Sequence, residues 1–262
     1  MAMNLSAIEH EDILNLRYGG VWLQDQYLSP LLYTGMQVGI GNEWWQVYSK
    51  HPGWAHVGRV DANFGWTHNA PKSNVIYALG LQGGWGSYYA WAFALAGNES
   101  TPKHSIELQL GPYLEADYMG RLIAGYINKP YSMDMSIQVE AMAGVSYAFS
   151  AKKTSYRLRY LVRTNMVGVD FVPDYWQSYY ELQQNGINGT VRCAGLWNHR
   201  YLNHELTFDM QFPHSTWRVG IRHEYLEYGK GDLWFSREQV SAVVGTCFRY
   251  RVDGKRNLLT ER

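Results

Sequence analysis

The stretch Met133–Phe171, MDMSIQVEAMAGVSYAFSAKKTSYRLRYLVRTNMVGVDF, contains two long runs of alternating apolar and polar residues around a short polar turn at 150–154. A period of two residues is typical of a β-strand with one apolar and one polar face. Each run is longer than the average strand of about 5–6 residues. Long antiparallel strands with two contrasting faces predict a closed barrel that crosses a membrane. The apolar faces hold Met135, Ile137, Val139, Ala141, Ala143, Val145, Tyr147 and Phe149 in the first run, and Tyr156, Leu158, Tyr160, Val162 and Met166 in the second.

The composition limits the class of protein. The chain has 262 residues, a formal net charge of zero, 18% charged residues and 15% aromatic residues. A neutral chain gives no electrostatic reason to bind nucleic acid, and its apolar content of 46% is that of a folded protein. No segment approaches the roughly 18–20 apolar residues of a transmembrane helix, whereas a barrel strand needs only about 9–11 residues. We therefore expect one β-barrel domain over residues 1–262.

Both ends of the chain depart from the strand pattern. Residues 1–30 are predicted to form an N-terminal segment, in which Ile13–Leu23 is either a first strand or a plug-like piece, and residues 252–262 a polar tail. The first residues lack a basic region followed by an apolar core, so they are not a signal peptide. Because the rest of the chain has the pattern of an exported protein, we interpret it as a mature chain. Cys193 and Cys247 are expected to be free, buried thiols.

The same alternation recurs in at least five further segments, most of them joined by short polar turns. Gly83-Gly84 interrupts one of these segments, Asn42–Ser49 looks turn-like, and Met119–Tyr131 is ambiguous. Such a meander closes most simply into an up-and-down antiparallel barrel, because closure removes exposed edges. Bacterial single-chain barrels have an even number of strands, so we expect about twelve strands, with ten as the alternative. Counting back from a periplasmic C-terminus places the long segment Val172–Asn188 on the periplasmic side, as a missed strand or a piece folded into the lumen.

Aromatic residues stand near the ends of several apolar faces. Trp54 and Trp66 bracket small and aliphatic residues on one predicted strand, which is typical of an aromatic girdle at the two surfaces of a membrane. The alternative is that the two tryptophans belong to the core of a soluble protein. The predicted girdle comprises Trp54, Trp66, Tyr147, Phe149, Tyr156, Trp217, Tyr225, Phe248 and Tyr250.

The polar faces of the predicted strands carry charges of both signs. In a narrow barrel these charges are expected to pair, because unpaired charges in a confined interior are costly. The structural hypothesis is a network that fills and stiffens the lumen; the sharper hypothesis is a charged path or pocket for a small polar solute. The predicted lumen network comprises Asp134, Glu140, Arg157, Arg159, Arg163, Glu205, Asp209, Arg218, Arg222, Glu224 and Arg249.

Catalytic and metal-binding patterns are weak. Membrane-embedded barrel hydrolases place a Ser two residues after a His, so that both project from one strand face, and no His here is followed at the second position by Ser. His104-Ser105 and His214-Ser215 are adjacent pairs, which would point to opposite faces of a strand. A nucleophile and a base drawn from separate strands remain an alternative. The histidines and cysteines show no metal-ligand spacing, so we expect no catalytic residues, metal or cofactor.

Three short motifs resemble a known family. They are Tyr27–Gly35 (YLSPLLYTG), Asn42–Trp45 (NEWW) and Gly83–Gly86 (GGWG). Together with the strand pattern they resemble a family of Gram-negative outer-membrane β-barrels of unknown function. The resemblance implies an exported barrel made with a cleavable signal, and it transfers no catalytic positions. One departure is that Tyr250, the last aromatic residue, is followed by twelve further residues, whereas many such barrels end on an aromatic residue.

The leading hypothesis is thus an integral outer-membrane barrel without catalysis, serving as a narrow channel, a structural element or a component of an envelope complex. Its expected partners are outer-membrane lipid and lipopolysaccharide, the outer-membrane assembly machinery and an envelope protein, but not nucleic acid. One alternative is a membrane-embedded hydrolase of lipid or lipopolysaccharide. Another is a soluble sugar-binding β-barrel, which would require the apolar faces to point inward.

Overall fold

The structure, a computed structural model, describes residues 8–48, 53–98, 101–125, 131–151, 154–173, 184, 190–212, 215–230 and 233–252. No helix in these ranges is long and apolar enough to cross a membrane. The described chain forms eleven strands. They are β1 (Ile8–Asp25), β2 (Ser29–Tyr48), β3 (Trp54–Asn69), β4 (Val75–Asn98), β5 (Thr101–Ala124), β6 (Tyr131–Ala151), β7 (Thr154–Phe171), β8 (Val191–Gly195), β9 (His199–Gln211), β10 (Thr216–Lys230) and β11 (Leu233–Val252).

Ten of the strands close into a ring, with β8 as an extra short strand. Each strand from β1 to β7 pairs antiparallel with the next, β7 pairs with β9, and β11 returns to β1. The predicted closed antiparallel barrel is confirmed, and ten strands, the second of the two predicted counts, replace twelve. The overcount has an identifiable source, because Gly83-Gly84 does not end a strand: β4 runs unbroken through it from Val75 to Asn98.

The glycines of β4 instead make room for a neighbouring side chain. A Cβ atom at Gly84 would lie 2.6 Å from the Tyr113 hydroxyl oxygen and 2.7 Å from the carbonyl oxygen of Leu114. A Cβ atom at Gly86 would lie 2.7 Å from Cδ2 of the same tyrosine. The strand therefore lacks side chains where the buried ring of Tyr113 lies against it.

The short strand β8 determines at which end of the barrel the long connection after β7 lies. β8 and β9 pair with successive parts of the same edge of β7, and a turn at 196–198 separates them. They therefore act as one interrupted strand, and the connection after β7 begins at the end of the barrel opposite Ile8 and Val252. The periplasmic placement of Val172–Asn188 that follows from a periplasmic C-terminus is thus wrong, because Thr190–Trp197 does not cross the barrel separately. Residues 174–183 and 185–189 lie outside the described residues, as do 253–262 of the predicted tail.

The other ambiguous segments also belong to the barrel. Ile8–Asp25 is the first strand, not a plug, and pairs along its whole length with β11. The turn-like Asn42–Ser49 continues β2 as far as Tyr48, and β5 extends through Pro112 to Ala124. The strands are thus longer than the alternation alone indicates.

The register of the strands sets the tilt of the barrel. One row of paired residues leaves β3 at Trp54, passes once around the ring and returns to β3 at Trp66, twelve residues further along. With about 3.3 Å per residue and about 4.8 Å between strands, this shift inclines the strands by roughly 40° to the axis. The row runs through Trp54, Tyr89, Leu110, Ala143, Val162, His204, His223, Val240, Gly20, Met36 and Trp66.

The two faces of the sheet have opposite character. Large apolar side chains are exposed on the outside, as at Leu16, which is 61% exposed. The inside contains many buried polar and charged groups, with one apolar cluster towards each end. One end of the barrel is marked by the start of β1 at Ile8 and the end of β11 at Val252, and is referred to below by these termini of the described chain. The cluster nearer this end holds Ile13, Trp45, Ala55, Val57, Tyr88, Tyr113, Met142, Leu161 and Cys247; the other holds Leu23, Leu28, Tyr33, Ile76, Met119, Ile123, Tyr201, Leu226, Tyr228 and Phe235.

Candidate functional site

The candidate site is the charged middle of the barrel interior. Successive residues of a strand point to opposite faces, so each strand sends every second side chain inward. Four arginines are among the largest side chains that are almost completely buried, namely Arg121, Arg163, Arg218 and Arg222. Such a cation is tolerated in an interior only when carboxylates and hydrogen-bond acceptors surround it.

Asp61 on β3 is the centre of this interior. Its oxygens lie 3.1 Å from Arg17 Nη2, 2.7 Å from Arg59 Nε and 3.0 Å from Arg222 Nη1. Arg222 also lies 2.7 Å from Glu205, on the adjacent strand β9. Because β3 and β10 are four strands apart in the ring by the shorter route, the contact between Asp61 and Arg222 spans the interior.

A second group of charges joins the strands on the other side. Glu115 on β5 accepts hydrogen bonds from Arg163 at 2.6 Å and from Arg59 at 3.4 Å. Arg163 also lies 3.4 Å from Glu140 and holds its guanidinium 4.5 Å from the centre of the Tyr113 ring. Arg59 therefore links this group to Asp61, and the two groups form one continuous network.

A third group lies nearer the chain termini. Arg218 donates to both oxygens of Asp209, at 2.6 and 2.9 Å, and to Glu43 at 3.0 Å. This two-bond geometry is the strongest form of an arginine–carboxylate pair. Glu43 also accepts a hydrogen bond from the indole of Trp45. At the rim, Glu11 lies 3.1 Å from Arg157 and 3.2 Å from Arg249.

The opposite end holds a separate ion cluster. Arg121 lies 2.9 Å from Asp25, forms an ion pair with Asp134, and donates to Ser132 at 2.7 Å. Its guanidinium is 4.2 Å from the centre of the Phe235 ring. This cluster is embedded in the apolar cluster that holds Phe235, so its charges are surrounded by apolar side chains.

The structure brings together some of the predicted network residues in the expected pairs and others in different ones. Arg218 meets Asp209, Arg222 meets Glu205, and Glu140 meets Arg163. The remaining hairpin charges find partners elsewhere: Asp134 with Arg121, Arg157 with Glu11, and Arg159 near Glu43 at 3.8 Å. Glu224 accepts hydrogen bonds from the neutral groups of Tyr201, Asn203 and Gln239, while Arg249 lies at the rim with Glu11.

Several central residues are absent from the predicted network. The pattern itself offers a signal for some of them, because Arg59, Asp61 and Glu115 alternate with apolar residues on recognisable strands. Arg17 and Arg121 lie in segments that the pattern leaves ambiguous. The residues of the four groups above that the predicted network omits are Glu11, Arg17, Asp25, Glu43, Arg59, Asp61, Glu115 and Arg121.

The predicted girdle residues lie on the outer face, at two levels. Trp66 and Tyr225 stand towards the end opposite the termini. The other seven stand towards the end with the termini, and three of them form a stack in which ring centroids are 5.6 Å apart for Tyr147–Phe149 and 5.0 Å for Phe149–Tyr156. The seven are Trp54, Tyr147, Phe149, Tyr156, Trp217, Phe248 and Tyr250.

Other candidate chemistry is sparse in the described ranges. Within them, no three His, Cys, Asp or Glu side chains are grouped to hold a metal ion. Both cysteines are free; Cys247 is buried as expected, whereas Cys193 is exposed. On the outer face, His56 Nδ1 lies 2.6 Å from the hydroxyl of Ser87 on the neighbouring strand, a contact that the spacing of histidines and serines in the sequence does not reveal.

Comparison with known proteins gives a family and a set of similar folds. The family described as "Protein of unknown function (DUF3316)" matches residues 11–231. No curated protein matches the chain in sequence. Among solved structures, the transport unit of the autotransporter AIDA-I from Escherichia coli aligns with a TM-score of 0.46 and 10% identity, over 95% of this chain and 93% of that one. The translocator domain of the autotransporter NalP from Neisseria meningitidis aligns with a TM-score of 0.40 and 9% identity, over 95% and 90%. Similarity at this level says nothing about activity.

Proposed function

The chain belongs to the DUF3316 family, whose function is unknown, and we propose that it is an integral barrel of the Gram-negative outer membrane whose lumen is closed by ion pairs. The proposed role is structural rather than catalytic. Outer-membrane lipid and lipopolysaccharide would surround the barrel, and the assembly machinery would insert it. An envelope protein as a partner is part of the same hypothesis.

The exposed apolar face supports a membrane location. Leu16, Ile137 and Leu110 lie on three separate strands, and each is more than half exposed. Soluble monomers rarely expose a contiguous apolar patch larger than a few hundred Å². The soluble sugar-binding alternative needs the apolar faces inside, whereas here they surround the barrel.

The spacing of the aromatic levels also supports this location. Trp54 and Trp66 are the two ends of the paired row that passes once around the barrel. Twelve residues on a strand inclined by roughly 40° rise about 30 Å along the axis, which is close to the thickness of a hydrocarbon core. Aromatic residues at the two interfaces are expected of membrane barrels.

One observation carries the proposal of a closed lumen: the ion pair between Arg222 and Asp61, 3.0 Å apart on distant strands. The pairs of Arg59 with Glu115 and of Arg218 with Glu43 also join strands that are not neighbours. A barrel of about ten strands has a narrow interior, and side chains that meet across it leave little space for a hydrated ion.

The test has two stages. Membrane fractionation with detergent extraction should recover the protein with the outer membrane, and the unboiled protein should migrate differently from the boiled protein on a denaturing gel. Recovery as a soluble monomer without detergent would refute the membrane assignment. In planar lipid bilayers the purified barrel should then give no stepwise ion conductance, and steady open-channel currents would refute the closed lumen.

The contact between His56 and Ser87 favours a second candidate, a hydrolase acting on membrane lipid. A hydroxyl 2.6 Å from an imidazole nitrogen has the geometry of a nucleophile and its base, and both side chains lie on the outer face near the girdle. Under this alternative, a fluorophosphonate probe should label the folded protein in detergent, and Ser87→Ala should abolish the label. Absence of labelling in the wild type would reject the hydrolase.

A further inference from the structure

A cavity of about 390 Å³ opens at the end of the barrel where β1 begins and β11 ends. Its wall includes Glu11 and Arg249, near the first residue of β1 and the last of β11. Trp45 and Tyr88 of the adjacent apolar cluster also line it, with ring centroids 5.4 Å apart in an edge-to-face arrangement. The volume is within the usual range of small-molecule sites, about 300–1,000 Å³.

Arg159 is the unusual group in the wall of this cavity. Its side chain is buried, with the residue 5% exposed, and its Nε and Nη1 atoms have no hydrogen-bond acceptor. The nearest carboxylate oxygen, on Glu43, is 3.8 Å from Nη1 and already accepts from Trp45 and Arg218. A buried cation with unused donors is costly, and the ring of Trp45, 4.1 Å from its guanidinium carbon, offsets that cost only in part.

The neighbouring charges indicate how many negative charges a ligand can carry. Arg157 and Arg249 share Glu11 at the rim, so Arg159 is the cation of this wall with the weakest carboxylate contact. On the other side of the cavity is Glu107 of β5. It pairs with Ser146 of β6, which in turn pairs with Arg159 of β7, so Glu107 and Arg159 are two strands apart. Its carboxylate, which accepts from Gln109 at 2.6 Å, would repel a second negative charge.

We propose that this cavity binds a small organic monocarboxylate with a planar ring. The carboxylate would accept hydrogen bonds from Arg159, and the ring would pack against Trp45 and Tyr88. A charge-assisted bond supplies orientation, and the aromatic wall supplies apolar contact. The site faces the end with the termini and requires no opening of the central network, so it goes beyond the closed lumen proposed above.

The experiment is calorimetric titration of the full-length barrel, folded in detergent, with 3-phenylpropionate. Its uncharged analogue 3-phenylpropanol is titrated in parallel. We expect saturable binding of the acid, at least tenfold weaker binding of the alcohol, and at least tenfold weaker binding of the acid to Arg159→Gln. Val47→Phe, which narrows the cavity without altering a charge, should also weaken binding.

Three controls keep the result interpretable. Arg200→Gln removes an exposed charge on the outer face and should bind the acid as the wild type does, which shows that the loss of one positive charge does not by itself weaken binding. Titration of the acid into detergent without protein corrects for its partition into micelles. The heat-dependent gel shift of each variant reports whether the barrel has folded. Equal binding of acid and alcohol, undiminished binding by folded Arg159→Gln, or no binding by the wild type at millimolar concentrations would each overturn the proposal. None of these outcomes depends on whether the barrel conducts ions.

Discussion

Arg222 and Asp61 lie on strands four places apart in the ring, yet Nη1 of one and Oδ2 of the other are 3.0 Å apart. The contact connects β10 to β3 through the interior. The same guanidinium also binds Glu205 on β9, so Arg222 connects two distant parts of the barrel wall. Removing this side chain therefore affects three strands at once.

We expect Arg222→Gln to lower the free energy of unfolding by roughly 3–5 kcal/mol, because it leaves two buried carboxylates with a cation fewer. Denaturant unfolding in lipid vesicles, followed by the gel shift, measures the change. Arg159→Ala should also destabilise the barrel, because it removes the packing of the guanidinium on the Trp45 ring. The effect should be smaller, because Arg159 makes no short ion pair. The matched control is Arg200→Gln, whose exposed pair with Glu227 should contribute about 1 kcal/mol or less. Equal losses of unfolding free energy in Arg222→Gln and Arg200→Gln would contradict a stabilising contact between Arg222 and Asp61.

The double variant Arg59→Ala/Arg222→Ala should conduct ions, whereas the wild-type barrel should not. Both arginines bind Asp61, and Arg59 also reaches Glu115, so the double variant removes the main connections across the middle. Single-channel recording in planar bilayers tests this expectation. If the folded double variant remains as silent as the wild type, the two apolar clusters close the lumen without the charges.

Adjacent glycines on β4 provide a packing test. Gly84→Ala should lower stability by about 1–3 kcal/mol, because the new methyl group overlaps Tyr113 and the carbonyl of Leu114. Gly83→Ala should be neutral or slightly stabilising, since a Cβ atom there has nothing within 4 Å. The test compares the denaturant concentrations at the unfolding midpoints of the two variants. Similar midpoints would mean that Tyr113 does not lie against β4.

Two arginine substitutions on the outer face test whether that face is in contact with lipid or with water. Leu16, 61% exposed, lies in the middle of β1, and Leu95, 58% exposed, lies near the end of β4. In a membrane, Leu16→Arg should cost roughly 2–4 kcal/mol and Leu95→Arg about 1 kcal/mol or less. In a soluble protein, two such exposed positions would tolerate arginine equally well. The comparison is made by unfolding in vesicles, and equal costs would contradict a membrane-spanning exterior.

The period of two residues was sufficient to predict the barrel and the inward or outward direction of most side chains. It works because closure fixes one face inside and the other outside, whatever the strand order. The pattern revealed some of the charge pairs and not others. Asp134 and Arg163 lie in one hairpin, yet Arg163 stands opposite Met142 in the register, eight residues from Asp134. Asp134 therefore binds Arg121 of β5, and Arg163 binds Glu115, also of β5.

The strand count was harder to predict for a related reason. Glycine pairs and proline usually interrupt strands, but here Gly84 accommodates Tyr113, β4 continues through Gly83, and Pro112 lies within β5. The turn between β8 and β9 also raises the predicted strand count, because it resembles a boundary between two strands and only interrupts one. The Ser87–His56 contact and the cavity beside Arg159 depend on neighbours from different strands, which no local spacing in the sequence reveals.

The pairing of β1 with β11 along Ile8–Asp25 and Leu233–Val252 also determines when the protein can finish folding. These strands lie at opposite ends of the chain, so the seam cannot form until the last strand has been synthesised. Until then both strands present unpaired edges, which are prone to aggregate, and contacts so distant in sequence form slowly. The unfinished edges of the barrel therefore require shielding until β11 is in place, and β11 is the part of the chain whose arrival commits it to the closed state.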